Sequence, residues 1–487
     1  MPGFAPRNTR QIIRQQRRQI DELETQVADL TRQLAERDAR IARLEQQVAA
    51  LTAQVARLSK NSTNSSKPPS SDIVKPPPLP GKKGRRRLGG QPGHAQHLRP
   101  PFLPDQIDHV VDHVLERCPV CGTPVRRMKR PARIVQQAEL EPMPIRISEH
   151  HCWAFWCSHC QSIHYAPLPA EVRQAGLLGP RLTALGAYLK GVCHVSFSTI
   201  RKFCRDVLGL RISRGQLAKI IYKASRAMQP AYEQLAADLP GQRRLNVDET
   251  GHKHNGQGHW TWCFRAELYT LFKIDCSRGH EVLVQMLGSE FAGVLGCDYF
   301  SAYRTYMRDF GVTVQFCLAH LIRDVKFLAE LPDRVTAAYG QRVLKSLRRL
   351  FGVIHRRQRM EEPSFQRALE RARDAVLKVG KRAPARIEAQ HLAERFRKHG
   401  EAYFRFITTP DIEPTNNLAE QAIRFVVMDR HVTQGTRSQR GQRWAERIWT
   451  AIATCTQQQR SVFEYLYQTI SAYFAGQPTP SLMPAGP

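Results

Sequence analysis

The stretch Leu245-Asn246-Val247-Asp248-Glu249-Thr250 reads as a short β-strand that ends on acids. Side chains along a strand alternate faces, so Asn246, Asp248 and Thr250 share one side and Val247 and Glu249 the other. Adjacent acids therefore cannot both face one site. Asp248 is the candidate first ligand of a metal centre. The bland alternative, a solvated acid at a strand end, is decided by what the rest of the chain brings beside it.

From Pro240-Gly241 onward, strand and helix patterns follow in a definite order. Strands are expected over 243–248, 260–266 and 268–274, with the last two forming a hairpin. A helix over 278–287, a strand over 293–298, a helix over 302–310, a strand over 312–316 and a helix over 318–331 complete the series. The order β-β-β-α-β-α-β-α is that of an RNase H-like α/β core, where the first strand lies beside the fourth. Asp298 follows the apolar run Val294-Leu295-Gly296-Cys297 and would sit next to Asp248. A third acid comes from Glu413-Pro414-Thr415-Asn416-Asn417-Leu418-Ala419-Glu420-Gln421-Ala422-Ile423-Arg424, a helix start that turns Ala419 and Ile423 to the sheet. The alternative for Glu420 is a surface ion pair with Arg424, four residues on. Three carboxylates suit two Mg²⁺ (or Mn²⁺) ions, which prefer oxygen ligands. A pair of such ions about 3.5–4 Å apart holds nucleophile and leaving oxygen in line for attack on phosphorus.

The chain has 487 residues, enough for several domains, and 73 Lys+Arg against 43 Asp+Glu leave a formal charge of +30. That excess predicts attraction to a polyanion, nucleic acid first. No apolar leader and no long apolar run appear, so a reducing cytoplasm is expected, with no membrane partner. Paired cysteines there point to metal before disulfide.

The amino-terminal part (10–59) carries a strict heptad. Ile13, Ile20, Val27, Leu34, Ile41, Val48 and Val55 occupy a; Leu23, Leu30, Leu44, Leu51 and Leu58 lie at d, with Gln16 and Arg37 interrupting. Mostly β-branched a positions with Leu at d favour a parallel two-stranded coiled coil, hence a homodimer. Residues 60–107 are Ser- and Pro-rich, then basic (Lys82, Lys83, Arg85, Arg86, Arg87), and read as a disordered tether that touches DNA phosphates.

Over 108–168, Cys118-Pro119-Val120-Cys121 and Cys157-Ser158-His159-Cys160 form two Cys-x-x-Cys knuckles, which together supply four ligands for one structural zinc. Strands over 134–140 and 145–155 would form the hairpin that joins them, as in a zinc ribbon. Cys152, His150, His151 and His159 are substitute ligands. The segment 176–239 is helical. Within it, patterns over 197–207 and 213–224, split by a Gly-containing turn with Ser213 as N-cap, resemble a helix-turn-helix with Lys219 and Lys223 toward phosphates. Residues 331–409 read as a helical insertion in the core, 410–430 as the helix bearing the third acid, 431–475 as a basic loop followed by helices, and 476–487 as a loose tail. The fold class is multidomain α+β.

Several of these motifs together resemble transposases of the insertion sequence 66 family, a branch of the DDE group. They are the Asn61-to-Asp72 tether, Gly89-Gly90-Gln91-Pro92-Gly93-His94, the double Cys-x-x-Cys, Asp248-Glu249-Thr250, Asp298-x-x-x-Ala302-Tyr303, His320-x-x-Arg323 and Asn416-Asn417-x-Ala419-Glu420-x-x-Ile423-Arg424. The resemblance spans nearly the whole chain. It departs at Tyr299, where the family more often has Gly, and at Gln421, where it usually has Arg. It implies that Asp248, Asp298 and Glu420 are the catalytic acids and that His320 and Arg323 assist them. Arg424 is expected at the DNA. The expected function is transposition: metal-dependent cleavage and strand transfer at terminal inverted repeats, then attack on target DNA. Companion proteins of the same element are a further expected partner, and the bound protein would sit at the nucleoid. Two other readings compete, a transposase-derived DNA-binding protein without catalysis and an RNase H-like nuclease.

Overall fold

The computed structural model describes residues 7–58, 101–111, 116–117, 119–124, 134–136, 145–157, 159 and 161–483. The basic run Lys82, Lys83, Arg85, Arg86 and Arg87 and the ligand candidates Cys118 and Cys160 lie outside these residues. The chain divides into two units, one of residues 77–169 with 195–218 and the other of the remainder. No helix among the described residues is long and apolar enough to cross a membrane.

The first element, α1 (Arg7–Leu58), is one unbroken helix of 52 residues, about 78 Å long at 1.5 Å per residue. Ile13, Ile20, Val27, Leu30, Leu34, Ile41, Leu44 and Leu51 are each 50–61% exposed, so the heptad stripe is left bare by the described chain.

In the smaller unit, β1 (Ala154–Cys157) pairs antiparallel with β2 (Ser162–Tyr165), and Cys157 of the second Cys-x-x-Cys ends β1. Of the expected hairpin over 134–140 and 145–155, residues 137–144 lie outside the described residues, 134–136 and 145–153 are not strand, and the regular ladder of this unit among the described residues is β1–β2. The first knuckle is closed by its own bridge, Arg117 to Pro124, with Gly122 at φ +74°.

Three helices follow: α2 (Ala170–Ala175) and α3 (Pro180–Gly191), both in the larger unit, and then α4 (Phe197–Asp206) in the smaller. Ser196 caps α4 through the Thr199 N–H at 3.1 Å. Gly209, at φ +63°, makes the turn. Ser213 caps α5 (Arg214–Ala227) through the Gln216 N–H at 3.0 Å, as the sequence predicted. Lys219 is exposed. Lys223 is not turned to solvent: its Nζ donates to Gln174 O at 2.6 Å and Ala175 O at 3.1 Å, holding the carbonyl end of α2.

The core begins with α6 (Gln229–Asp238) and a five-stranded mixed sheet. Its strands are β3 (Arg244–His254), β4 (Gln257–Arg265), β5 (Thr270–Asp275), β6 (Val294–Cys297) and β7 (Thr313–Phe316), in the order β5-β4-β3-β6-β7. The strands β3, β4 and β5 form an antiparallel meander, while β6 and β7 run parallel to β3. Three helices lie along the β5–β6, β6–β7 and post-β7 connections: α7 (Glu281–Leu287), α8 (Ser301–Phe310) and α9 (Leu318–Ala329). The strand β3 is longer than expected and does not stop at the acids. Asn255-Gly256, at φ +50° and +78°, forms a two-residue turn that pairs His254 with Gln257 and extends the hairpin past Asp248.

The insertion comprises α10 (Arg334–Ile354), α11 (Glu362–Lys381) and α12 (Ile387–His399), and a short α13 (Arg405–Thr408) leads back to the core. Then α14 (Asn417–Thr433) lays Ala419, Ile423 and Val426, all buried, toward β3 and β4. The expected basic loop after it is short. Only 434–438 separate α14 from α15 (Gln439–Gln457), and Thr436 bridges to His254 at the hairpin tip. Gly435 permits this approach, since a Cβ there would lie 2.2 Å from Lys253 O.

Along one face of α15, Glu446, Thr450 and Thr454 accept the N–H groups of Ile274, Phe272 and Thr270 at 2.9, 3.1 and 3.2 Å. The spacing of four on a helix thereby matches the spacing of two on a strand, and the exposed edge of β5 is closed by side chains. The last helix, α16 (Val462–Phe474), packs on α3. The tail is not loose up to Met483: Leu482 is buried and its carbonyl accepts from Gln458 Nε2 at 2.8 Å.

Candidate active site

Asp248 lies within β3, opposite Cys263 of β4. On its other side the parallel ladder with β6 ends at Asn246 opposite Gly296. Two residues further on, Asp248 is level with Asp298, just beyond the end of β6, and on the same face as Asn246. Neighbouring strands are about 4.8 Å apart, so the register alone makes the two acids neighbours. Asp298 Oδ1 accepts the Phe300 N–H at 2.8 Å and Asp248 Oδ1 that of Glu249 at 3.0 Å, which fixes both carboxyl groups.

The third acid is brought in by a clasp of asparagines. Asn416 precedes α14 and is 1% exposed. Its side chain does not cap its own helix. It reaches back to β3, where Nδ2 donates to Val247 O at 2.8 Å and Oδ1 accepts from Asn246 Nδ2 at 2.9 Å. Its N–H donates to Cys317 Sγ at 3.1 Å. Glu420, in the first turn of α14, is thereby set over the strand ends. Gly296 makes room for the clasp, since a Cβ there would lie 2.5 Å from Asn246 Nδ2.

Glu420 does not pair with Arg424, which is exposed one turn along. Its Oε1 lies 3.4 Å from His320 Nδ1 and 3.5 Å from Arg323 Nη2. Arg323 Nη2 is also 2.9 Å from His320 Nε2. A guanidinium only donates, so Nε2 must accept and the ring hydrogen sits on Nδ1, facing Glu420. Burial, with Arg323 beside it, pushes His320 down to about 4, and the ring is neutral at pH 7. Cys317 Sγ, His320 and Glu420 are the one group among the described residues whose donor atoms all lie within 4.8 Å of one another. Burial pushes the Cys317 thiol up, which keeps it protonated and a weak ligand.

The electrostatics are those of crowded, dry carboxylates. Burial first, then Glu249, Asp298 and Glu420, pushes Asp248 well above the usual carboxylate range. Burial and Glu249 push Asp298 up to about 7, against the Phe300 N–H, Arg278 and Arg395. Glu249 is held on its own side of the strand. Arg278 Nε and Nη2 donate to its Oε1 at 3.0 and 2.8 Å, and the Tyr303 hydroxyl donates to Oε2.

The structure therefore brings Asp248, Asp298, Glu420, His320 and Arg323 together. Lys219 and Arg424 are exposed side chains, and of the four cysteines Cys121 and Cys157 are described. Sequence reasoning missed the role of Asn246 and Asn416, although the Asn416-Asn417 doublet at a helix start was a signal. It also missed Arg395 on α12, which no local pattern separates from its basic neighbours Arg397 and Lys398.

A family model described as "Transposase IS66 family" matches residues 175–443, over half of the chain. A model of a family of unknown function matches residues 11–100, which hold most of α1 and the tether. The uncharacterized protein y4hP of Sinorhizobium fredii (strain NBRC 101917 / NGR234) is 22% identical over 403 residues, covering 74% of this chain and 71% of that protein.

Proposed function

Because the chain belongs to the IS66 family of transposases, we propose that its core cleaves and joins DNA strands with Asp248, Asp298 and Glu420 as catalytic acids on an RNase H-like fold. The observation that supports this reading is the β3–β6 register, which continues toward Asp248 and Asp298, together with the asparagine clasp that ties the start of the Glu420 helix to β3.

The donor set fits divalent cations. Buried oxygens that repel one another gain most from a polycation, and the nearby arginines Arg278 and Arg323 are engaged with Glu249 and His320. Glu420 Oε1 is buried without a hydrogen-bond partner, a further donor suited to a cation. Mg²⁺ or Mn²⁺ held by Asp248, Asp298 and Glu420 would supply Lewis acidity at the scissile phosphate. The chain's own residues do the rest. Neutral His320 stands with Nδ1 3.4 Å from Glu420 Oε1, and Arg323 fixes the ring and its tautomer. Arg278 and Tyr303 keep Glu249 out of the cluster. The walls of the sheet exclude water, which strengthens each of these interactions.

We assign the accessory parts as follows. The bare stripe of α1 pairs two chains as a coiled coil. Cys118, Cys121, Cys157 and Cys160 hold a structural zinc in a DNA-binding module. The α4–α5 pair, with Lys219, contacts DNA as a helix-turn-helix-like element, and the basic tether and Arg424 contact phosphates. The expected DNA partners are the element's inverted repeats and target DNA.

Titration calorimetry with Mn²⁺ tests the metal claim without any DNA. The wild type binds, and Asp248→Asn and Asp298→Asn each lose at least tenfold in affinity. Unchanged binding in both variants removes the aspartates from the site.

A further inference from the structure

The helical insertion sends one arginine to the acid cluster. Arg395 of α12 is held on three sides. Its Nη1 donates to Asp324 Oδ2 at 2.8 Å, and its Nε donates to the Tyr403 hydroxyl. Its guanidinium lies 3.8 Å from the centre of the Tyr299 ring. Tyr299 is the residue after Asp298, so the stacking anchors the cation beside the second acid. The positive charge is felt at both Asp298 and His320, although Arg395 forms no ion pair with Asp248, Asp298 or Glu420.

One donor group of this cation is unspent. Nη2 is buried and has no hydrogen-bond partner. A buried charged donor without an acceptor is unfavourable, and a fold that merely needed a clamp would meet the same Asp324 and Tyr403 with a smaller side chain. Arg278 and Arg323, by contrast, spend their Nη2 groups on Glu249 and His320. A charged donor pairs most strongly with an anionic acceptor, and the acceptor that completes Arg395 must arrive beside Asp298. A phosphate oxygen of DNA has that chemistry, and the Nη2 amino group can donate a charge-assisted hydrogen bond to it.

We propose that Arg395 is a catalytic residue supplied by the insertion, whose Nη2 binds a non-bridging oxygen of the scissile phosphate as charge develops there. The proposal rests on the cleavage function proposed above. It gives the insertion a part in the chemistry: α12 completes the site from outside the sheet, and Tyr299 is the platform that holds the arginine in place.

The test is a cycle between protein and substrate. The full-length chain cuts a duplex bearing the element's terminal repeat, with either a natural phosphate or a neutral methylphosphonate at the scissile position. Arg395→Gln and Arg395→Lys are compared with wild type, and Asp324→Asn serves as a clamp control that keeps the Arg395 charge. With natural DNA, loss of the arginine slows cleavage roughly 10²-fold, the scale of a lost charge-stabilising donor, while DNA binding is retained. The methylphosphonate penalty then shrinks at least tenfold in the Arg395 variants and keeps its wild-type size in Asp324→Asn, because two groups that touch are not additive. The ratio is read in whichever Arg395 variant melts like wild type, and in both if both do. An equal penalty in wild type and the Arg395 variant overturns the inference and leaves the cleavage reading standing. If Mg²⁺ and Mn²⁺ give no cleavage by wild type, the cleavage reading falls and this inference with it.

Discussion

Asn416→Ala isolates the link between fold and site. The substitution keeps the backbone bonds of residue 416, its N–H to Cys317 Sγ and its carbonyl to the Glu420 N–H, and removes the two side-chain bonds to β3. Removing one partner of a buried hydrogen bond strands the other, at a cost of about 1–3 kcal/mol. The Val247 carbonyl and the Asn246 amide are both stranded, so the expected loss is about 2–6 kcal/mol of unfolding free energy. Function suffers more than stability. Glu420 lies four residues later, in the first turn of α14, and a misplacement of about 1 Å at a reacting centre costs on the order of 10²-fold in rate. Gly296→Ala attacks the same link from the far side. Its Cβ would lie 2.5 Å from Asn246 Nδ2, short of the 3.4 Å at which ordinary contact begins, so Asn246 must leave Asn416. Urea unfolding followed by fluorescence measures the first effect, and Mn²⁺ affinity the second. Both variants should weaken Mn²⁺ binding, and Asn246→Ala should relieve Gly296→Ala of its steric part. An Asn416→Ala protein within about 0.5 kcal/mol of wild type, with unchanged metal affinity, would refute the clasp.

Two further outcomes follow from other parts of the chain. His252 is buried on the hairpin, and burial, with Arg430 beside it, pushes it down to about 4 from 6.5. Its folded value lies below its unfolded one, so stability is full above pH 6.5 and is lost as pH falls toward 4, by up to about 3 kcal/mol. Urea midpoints of His252→Gln between pH 7 and 4 should fall less steeply than those of wild type, and identical slopes would remove His252 as a cause. In α1, the double substitution Val27→Lys and Leu30→Lys places charge on adjacent a and d positions of the bare stripe. Sedimentation should convert a dimer to a monomer, while a monomeric wild type would contradict pairing through this helix.

Much of the core was legible in the sequence because its signals are local. Apolar runs bounded by turns locate four of the five strands to within three residues and the start of β3 to within one. The end of β3 was misplaced because attention to the acids passed over Asn255-Gly256, whose left-handed turn carries the hairpin on to His254. The helix of Glu420 was found from Ala419 and Ile423, but the use of Asn416 was not. An asparagine before a helix reads as a cap, and only the proximity of β3 shows that its amide is engaged elsewhere. The cover over β5 was hidden for a similar reason. Glu446, Thr450 and Thr454 look like polar breaks in an apolar helix until the unpaired edge of a distant strand is set beside them. Arg395 had no local signature at all, since its meaning lies in Tyr299, Asp324 and Tyr403, which the insertion brings together from three separate segments. The hairpin expected to unite the two Cys-x-x-Cys motifs rests on alternation in 134–155, of which 137–144 lie outside the described residues and 145–153 are not strand.

The central claim is that three carboxylates from β3, the end of β6 and the start of α14 cut DNA with divalent metal. The most direct measurement is strand cleavage of a duplex bearing the element's terminal inverted repeat, with Mg²⁺ or Mn²⁺, by wild type and by Asp248→Asn, Asp298→Asn and Glu420→Gln. The account predicts that each substitution lowers cleavage by at least 10³-fold, while gel-shift binding to the same duplex stays within about twofold. Wild-type cleavage rates in any one of the three variants would contradict it.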